Sequence, residues 1–432
     1  MKIAVIKKNR TMNKIFIILL SFLILQSCKQ TKIEYLEENR FDLTSTNFEF
    51  PQKDFKIIGF GAYHGSSKTE DTEIELLKSL TKNKSIKYYL PETDFSIAHY
   101  FNDYLKNGDT ILLKDLVTLY GFRVPQERTI EVYQKWKELK KLNDQLTEND
   151  KLEVVGIDIQ VNYKYVSKHI LELIDESENE LKPIQGIREM VKTDTTSYEL
   201  GDLSYAFRIL KNFVTDYDGN KDEYQKHVLN KPEFEHIVRN LKISFNFSTE
   251  YSDRDKVMYD NYISLDSIYH FKKHPQYLRM GFSHIEKSRE GKSGYPYFFA
   301  RLIENKIYEK NNILSIIGYF TDSKVVWDEQ YDDKGNYTGY TVEGGFGIGD
   351  YDKEFFRGIQ NLKDSKISDL TLFRLNKMES PYINNEPDLI EVIMQDEKSN
   401  GESVKGMSTL DFLDYAILIS NSKASIPIYE IN

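Results

Sequence analysis

The chain has 432 residues, of which 58 are basic and 68 are acidic, so its formal net charge is −10. Its 30 Tyr and 25 Phe residues are enough for a large core, which excludes an intrinsically disordered chain. The acidic balance, with no basic run beyond the N-terminus, argues against a nucleic-acid partner. The single Cys excludes an intramolecular disulfide and a Cys-based zinc site.

The first 28 residues have the layout of a secretory signal. Five basic residues precede the apolar run Ile15–Leu25, which is too short to cross a bilayer comfortably. The run ends in Leu25-Gln26-Ser27-Cys28, which resembles the lipobox of bacterial lipoproteins, where the Cys is lipidated. The resemblance implies a signal peptide over residues 1–28 and a membrane partner reached through a lipid anchor at Cys28. Because Lys29 is not acidic, the expected location is the bacterial cell envelope, at the outer membrane. The alternative is a buried N-terminal helix with an incidental thiol.

Residues 29–52 are polar and lack a clear period, which predicts a tether. Residues 53–432 are interpreted as one domain, in which short apolar runs alternate with helical patterns. Such alternation is typical of an α/β protein with a mostly parallel central sheet flanked by helices. The predicted strands are Lys56–Phe60, Ile86–Leu90, Leu152–Ile157, Tyr277–Phe282, Ile313–Phe320 and Tyr415–Ser420.

Between these strands the sequence predicts one framework helix, a helical insertion and a hairpin. Leu76, Leu77 and Leu80 form an apolar stripe for a helix that starts near Thr69. Residues 163–274 contain amphipathic segments and no convincing strand, which predicts a helical insertion. Residues 332–336 form a turn motif between two short apolar stretches, which predicts a β-hairpin. The turn lacks the ligand pattern of a calcium loop.

Four predicted strands run directly into polar residues. The first leads to Tyr63-His64, the second to Glu92, the third to Asp158 and the fourth to Ser283-His284. Ligands of open α/β sheets bind outside the carboxyl ends of the strands, so these side chains are expected to converge on one cleft. Taken singly, a carboxylate at a strand end is more often a helix cap, and a lone His is more often structural.

The same segments resemble the erythromycin esterase family in order and spacing, over about residues 55 to 290. Gly61-Ala62-Tyr63-His64-Gly65, a helix and Glu92-Thr93-Asp94-Phe95 resemble its opening pattern G-E-A-T-H-G, a helix and E-x-D/S-F. Further segments that resemble the family are Asn102–Tyr104 for N-x-Y, Gly156–Asp158 for G-x-D, Arg254–Met258 for R-D-x-x-M, and Ser283-His284 for the end of H-N-x-H.

The resemblance implies a hydrolase of a small-molecule ester or lactone that needs no metal and no cofactor. His64 would be the general base for water, a role that suits imidazole. Glu92 would orient or charge-compensate the site, and Arg254 would hold a carbonyl, carboxylate or developing oxyanion. His284 would be a second acid/base or polar contact. Tyr63 and Asp158 would contact the substrate.

Two departures from the family pattern open an alternative. Gly61 stands where the family has its first Glu, and Gly281 stands where it has the first His of H-N-x-H. Glu70 or Glu73 could replace the missing carboxylate only if the loop after His64 differs from the family's. The alternative is a non-catalytic lipoprotein that binds a small molecule on the same scaffold.

Other chemistry finds little support in the sequence. His270 and His274 are four residues apart, but no H-E-x-x-H motif and no third ligand accompany them, which indicates a solvated helix end. Gly281-Phe282-Ser283-His284-Ile285 lacks the second Gly of a nucleophile elbow. Residues 344–350 are Gly-rich but lack the Lys of a P-loop, which favours a loop near the cleft.

Overall fold

The computed structural model describes residues 30–82, 86–121, 124–175, 181–193, 198, 200, 204–246, 254–344, 350–395 and 399–431. The predicted signal peptide and Cys28 lie outside these residues, as do Ser252, Asp253 and most of the Gly-rich segment. The lipid anchor and its location therefore stay predictions. No helix within the described ranges is both long and apolar enough to cross a membrane.

Thirteen strands are described. In chain order they are β1 (Arg40–Asp42), β2 (Ile57–Gly61), β3 (Tyr88–Pro91), β4 (Glu153–Val154), β5 (Gln276–Met280), β6 (Ile313–Thr321), β7 (Val325–Tyr331), β8 (Tyr337–Glu343), β9 (Asp350–Tyr351), β10 (Glu354–Phe356), β11 (Leu370–Arg374), β12 (Val392–Met394) and β13 (Tyr415–Ser420).

Fifteen α-helices are described, the first of which precedes β1. In chain order they are α1 (Lys32–Glu38), α2 (Ser67–Lys82), α3 (Phe95–Asn107), α4 (Thr110–Tyr120), α5 (Ile130–Asp144), α6 (Tyr163–Glu172), α7 (Lys182–Thr193), α8 (Tyr205–Gly219), α9 (Lys221–His227), α10 (Lys231–Asn246), α11 (Arg254–Tyr269), α12 (Phe298–Glu304), α13 (Ile359–Ser365), α14 (Gly401–Val404) and α15 (Thr409–Phe412).

Eight strands form the central sheet, in the order β1-β11-β13-β6-β2-β5-β3-β4. The six strands from β13 to β4 pair in parallel, whereas β1 and β11 run antiparallel at one edge. Strand β2 shows why the sheet forms: Ile57 packs into one hydrophobic core, and Ile58 and Phe60 pack into the other. A strand buried on both faces requires helices on both sides. The predicted α/β fold class is confirmed.

One prediction is wrong at the N-terminal end of the described chain. Residues 30–52, predicted as a tether, contain α1 and β1. Thr31 and Glu34 form a reciprocal capping box at the start of α1, and Tyr35 and Leu36 are buried against the domain. Only two core residues on a seven-residue helix leave no visible period, which explains why the sequence pattern resembles a linker.

Strand β4 is shorter than predicted because a side chain occupies its outer edge. The Asn102 amide donates to the carbonyl of Val154 and accepts from its N–H, both at 2.8 Å. Only Glu153 and Val154 keep strand geometry, and the chain then leaves the sheet toward Asp158. The Asn of the N-x-Y segment thus has a structural role.

The segments beyond β4 differ in how well they were predicted. Six helices, α6 to α11, lie between residues 163 and 269 of the described chain. Strands β7 and β8 pair antiparallel around the expected turn, which confirms the hairpin. His270 and His274 do not share a helix, because α11 ends at Tyr269 and His270 has a left-handed φ of 53°.

Candidate active site

The carboxyl ends of three adjacent parallel strands carry the central residues of the site. Strand β5 lies between β2 and β3, so the segments with His64, Gly281 and Glu92 leave the same edge of the sheet side by side. Arg254 comes from the first turn of α11, and His284 lies on the short 3-10 helix Phe282–Ile285. The residues that the sequence singles out thus lie together at the carboxyl edge of the sheet, where ligands of open α/β sheets bind.

His64 is held by a carboxylate that the sequence does not indicate. Its Nδ1 donates a hydrogen bond to Oε1 of Glu127, on the 3-10 helix Pro125–Glu127. Glu127 is buried, and burial by itself would raise its pKa. The neighbouring His64, Lys135 and Arg279 outweigh burial and lower the pKa of Glu127 to about 2. An ionised Glu127 fixes the Nδ1–H tautomer of the imidazole.

The other nitrogen of His64 faces Glu92 and Gly281. Its Nε2 makes no hydrogen bond within the described part of the chain and lies 3.6 Å from Oε2 of Glu92. A Cβ built on Gly281 would lie 3.7 Å from Nε2 and 3.6 Å from Cδ2 of His284, which are ordinary contact distances. The glycine therefore leaves room beside Nε2. His64 itself is accessible, since 17% of its side chain is exposed.

Glu92 is a buried anion with partners on both oxygens. Its Oε1 accepts from Arg254 at 2.5 Å, and its Oε2 accepts from the backbone N–H of Gly281 at 2.9 Å. Burial would raise the pKa of Glu92, but Arg254, His64 and His284 hold it well below its usual range. An ionised Glu92 thus lies 3.6 Å from Nε2 of His64.

Arg254 binds mainly other protein groups. Its Nε and Nη2 donate to both oxygens of Asp158, at 3.0 and 2.5 Å, and Nη2 also reaches Glu92. Desolvation opposes the charge, yet Asp158 and Glu92 keep the pKa of Arg254 well above its usual range. Asp158 is buried with both oxygens engaged, so its contact with a substrate would run through Arg254.

Both ring nitrogens of His284 have hydrogen-bond partners. Its Nδ1 donates to Oδ1 of Asp255 at 2.8 Å, and its Nε2 accepts from Nη1 of Arg254 at 3.3 Å. Asp255 also accepts from the backbone N–H of Phe298, which ties the start of α12 to the site. Asp255 is the Asp of the R-D-x-x-M segment, so the motif that singled out Arg254 could also have singled out Asp255.

Aromatic side chains flank the polar groups. The ring of Tyr63 lies 5.9 Å from that of Phe282, which lies 6.2 Å from that of Phe356. The Tyr297 ring stands edge-on to His284 at 6.1 Å. Burial and the nearby Glu354 raise the pKa of Tyr63 to about 12, so its hydroxyl stays protonated. Such a mixture of apolar walls and few polar groups is typical of small-molecule sites.

Gly61 shows why the family's first Glu has no room in this chain. A Cβ at this position would lie 2.6 Å from Cα of Phe282 and 2.8 Å from a side-chain carbon of Ile285. A backbone atom at that distance cannot be displaced cheaply. The carboxylate beside the imidazole comes instead from Glu127, 63 residues after His64.

Gly61→Glu is expected to lower the free energy of unfolding by at least about 2–3 kcal/mol, because overpacking a closed site forces backbone shifts. Urea denaturation of the variant measures the loss. Gly219→Glu is the control, since nothing lies within 4 Å of a Cβ at Gly219. Equal stability of the Gly61 variant and the parent would contradict the closed packing.

Glu70 and Glu73 do not reach His64. Both carboxylates bind Nζ of Lys135, at 2.6 and 2.9 Å, in a buried cluster behind the site. Arg279 joins this cluster to Glu127, with Nε 3.7 Å from Glu73 and Nη2 3.6 Å from Glu127. A continuous set of buried charges therefore extends from His64 into the protein.

Two further observations concern ligands. A cavity of about 460 Å³ next to β4 is lined by residues such as Phe95, His99 and Tyr269, and not by His64, Glu92, Glu127, Arg254 or His284. Within the described ranges, no group of three His, Cys, Asp or Glu side chains is placed to hold a metal ion.

Comparison with known proteins supports the fold. By sequence, the chain matches no protein-family profile and no curated protein. A crystal structure of a succinoglycan biosynthesis protein has a TM-score of 0.62 at 14% identity, and the match covers 93% of this chain and 99% of that one. A Bacillus cereus protein has a TM-score of 0.59 at 16% identity, covering 91% and 98%.

The third similar structure is a mutant of the erythromycin esterase EreC in its open conformation. Its TM-score is 0.55 at 13% identity, and the match covers 87% of this chain and 93% of that one. The fold is erythromycin-esterase-like. The likeness extends over most of both chains, which agrees with the fold that the sequence motifs implied.

Proposed function

We propose that this chain is a diverged hydrolase of the erythromycin esterase type that cleaves an ester or lactone of a small molecule. One observation carries the proposal: His64 has one nitrogen held by an ionised carboxylate, and its other nitrogen makes no hydrogen bond within the described part of the chain. A general base needs an oriented imidazole with a free lone pair, and Nε2 of His64 meets that requirement.

The chemistry follows from this arrangement. Nε2 of His64 takes a proton from a water while the water oxygen adds to the substrate carbonyl, and the imidazolium then protonates the leaving alkoxide. Glu127 stabilises the imidazolium through Nδ1–H, and Glu92 adds a second negative charge near Nε2. Pairing a base with an orienting carboxylate is the arrangement that serine hydrolases use, here applied to water.

A second candidate is a binding protein without turnover. It is favoured by Arg254 and His284, whose nitrogens bond to Asp158, Glu92, Asp255 and each other. Arg254 and His284 would then hold the shape of the site, and His64 would be the polar side chain that contacts a ligand. For either function, the lipobox supports a lipid anchor at Cys28 and a place in the bacterial cell envelope.

Hydrolysis by the purified full chain, measured on a panel of activated esters and macrolactones, tests the first proposal. His64→Ala and Glu127→Gln are each expected to lower kcat/KM at least about 100-fold, the lower range for a positioned proton transfer. His227→Ala is the matched control, because His227 also lies beside a glutamate, Glu223, but on α9. Full activity in folded His64→Ala would overturn the proposal.

A further inference from the structure

The residues on both sides of Glu127 contact the same strand, β7. The Gln126 amide donates to the carbonyl of Trp327 at 3.3 Å. Arg128 donates to both oxygens of Glu329, from Nε at 3.1 Å and from Nη2 at 2.5 Å. The side chains of this ion pair are only 10% and 6% exposed. The segment that carries Glu127 therefore binds the hairpin through the residues on both sides of Glu127.

The loop that carries His64 contacts β7 as well. The Val326 N–H donates to the carbonyl of Gly65 at 2.8 Å. Gly65 has a φ of +82°, and a Cβ there would lie 2.8 Å from the Val326 carbonyl and 3.0 Å from Cβ of Gln126. The residue after His64 thus sits against both β7 and the neighbour of Glu127, where only glycine fits.

We propose that the β7–β8 hairpin is the positioning element of the His64–Glu127 pair, and that Arg128 and Glu329 are its positioning residues. This inference rests on the proposed function, because it assigns a purpose to the alignment of those two side chains. Nothing in the family resemblance points to it, since the motifs end near residue 290 and the hairpin begins at residue 325.

The hairpin is itself anchored to the central sheet. A two-stranded hairpin has little stability of its own, but β7 closely follows the central strand β6 and begins with the buried residues Val325 and Val326. A bidentate Arg–carboxylate pair fixes both distance and orientation, which a single hydrogen bond does not. The hydroxyl of Tyr331 donates to the same Glu329, and the Tyr429 ring lies 5.4 Å from the Arg128 guanidinium. Both sides of the pair are therefore held in place.

Glu329→Gln tests the inference, with Asp328→Asn as the matched control. Asp328 is an exposed neighbour on the same strand, so its variant removes the same charge without touching Arg128. We expect Glu329→Gln to lower kcat about tenfold to 100-fold with KM within about twofold, because a misplacement of about 1 Å can cost that much in rate. Asp328→Asn is expected to stay within about threefold of the parent.

A readout that does not depend on hydrolysis separates this inference from the proposed function. The hydrogen bond from Nδ1 of His64 to the buried carboxylate of Glu127 should give a proton NMR signal far downfield of the amides, absent in Glu127→Gln. The signal should weaken or shift in Glu329→Gln and persist in Asp328→Asn. Arg128→Lys, which keeps a buried positive charge, serves if Glu329→Gln does not fold, and should shift the signal too. An unchanged signal in folded Glu329→Gln or folded Arg128→Lys, or no signal in the parent, would overturn the inference.

Discussion

Replacing Arg254 with Met is expected to lower the free energy of unfolding by about 3–5 kcal/mol, the usual cost of breaking a buried ion pair from one side. The guanidinium is the cation that bonds both Asp158 and Glu92, and these two carboxylates are nearly fully buried. Without it, two ionised groups remain in a poorly solvated site, and they repel each other. Urea denaturation at pH 7 measures the effect.

The matched control for Arg254 is Arg289→Met. Arg289 also makes a bidentate pair with a carboxylate, Glu304, but about a third of each side chain is exposed. Surface pairs contribute about 0–1 kcal/mol, so the control should change stability little. The triple variant Arg254→Met/Asp158→Asn/Glu92→Gln should recover part of the loss. A cost below about 1 kcal/mol in Arg254→Met would show that the two carboxylates reach solvent.

Lys135→Met is expected to have an effect of similar size that depends on pH. Lys135 is the buried cation between Glu70 and Glu73. Burial raises the pKa of Glu70 to about 7, even though Lys135 acts in the opposite direction. Since this value exceeds the ordinary 4.5, protonation of Glu70 stabilises the folded chain, and that contribution is present below pH 4.5 and lost as the pH rises through 7.

The sign of the pH effect follows from this. Below pH 7 Glu70 is largely protonated and gains little from Lys135, whereas above pH 7 it is an anion that needs the cation. The stability deficit of Lys135→Met should therefore grow between pH 5.5 and 8.5, reaching about 3–5 kcal/mol at the upper end. Thermal and urea unfolding at both pH values measure it. A deficit that shrinks as the pH rises would contradict this account.

Lys140→Met is the control on the same helix. Lys140 pairs with Asp144 at 2.8 Å one turn away, but half of the Asp144 side chain is exposed. Such pairs contribute about 0.3–0.5 kcal/mol, so the control should cost a small fraction of the Lys135 effect at either pH.

Particular residues show what the sequence could predict. Strand β13 was predicted with its observed bounds, because a run of six apolar or small residues buried on both faces is a strong signal. The strand-end rule led to His64, Glu92, Asp158 and His284, since each follows a parallel strand. Arg254 lies at the start of a helix and could be singled out only through the family resemblance.

The missed features share a physical cause. Glu127 follows no strand, and its part in the site depends on a contact across 63 residues that no local pattern encodes. Strands β1 and β11 pair antiparallel at the sheet edge, outside the alternation of strand and helix from which the six parallel strands of the central sheet were predicted. The sequence shows Gly61 in place of the family Glu, but the reason is visible only in the structure, where Phe282 and Ile285 fill the space that a side chain would need.

The amide of Asn102 also affects how molecules of this chain meet one another. An edge strand with free N–H and C=O groups is a template on which a strand of a second molecule can add. At β4, the side chain of Asn102 already binds both backbone groups of Val154 that face away from β3. A neighbouring chain therefore finds neither donor nor acceptor at that residue, so one side-chain amide protects this edge of the sheet against self-association.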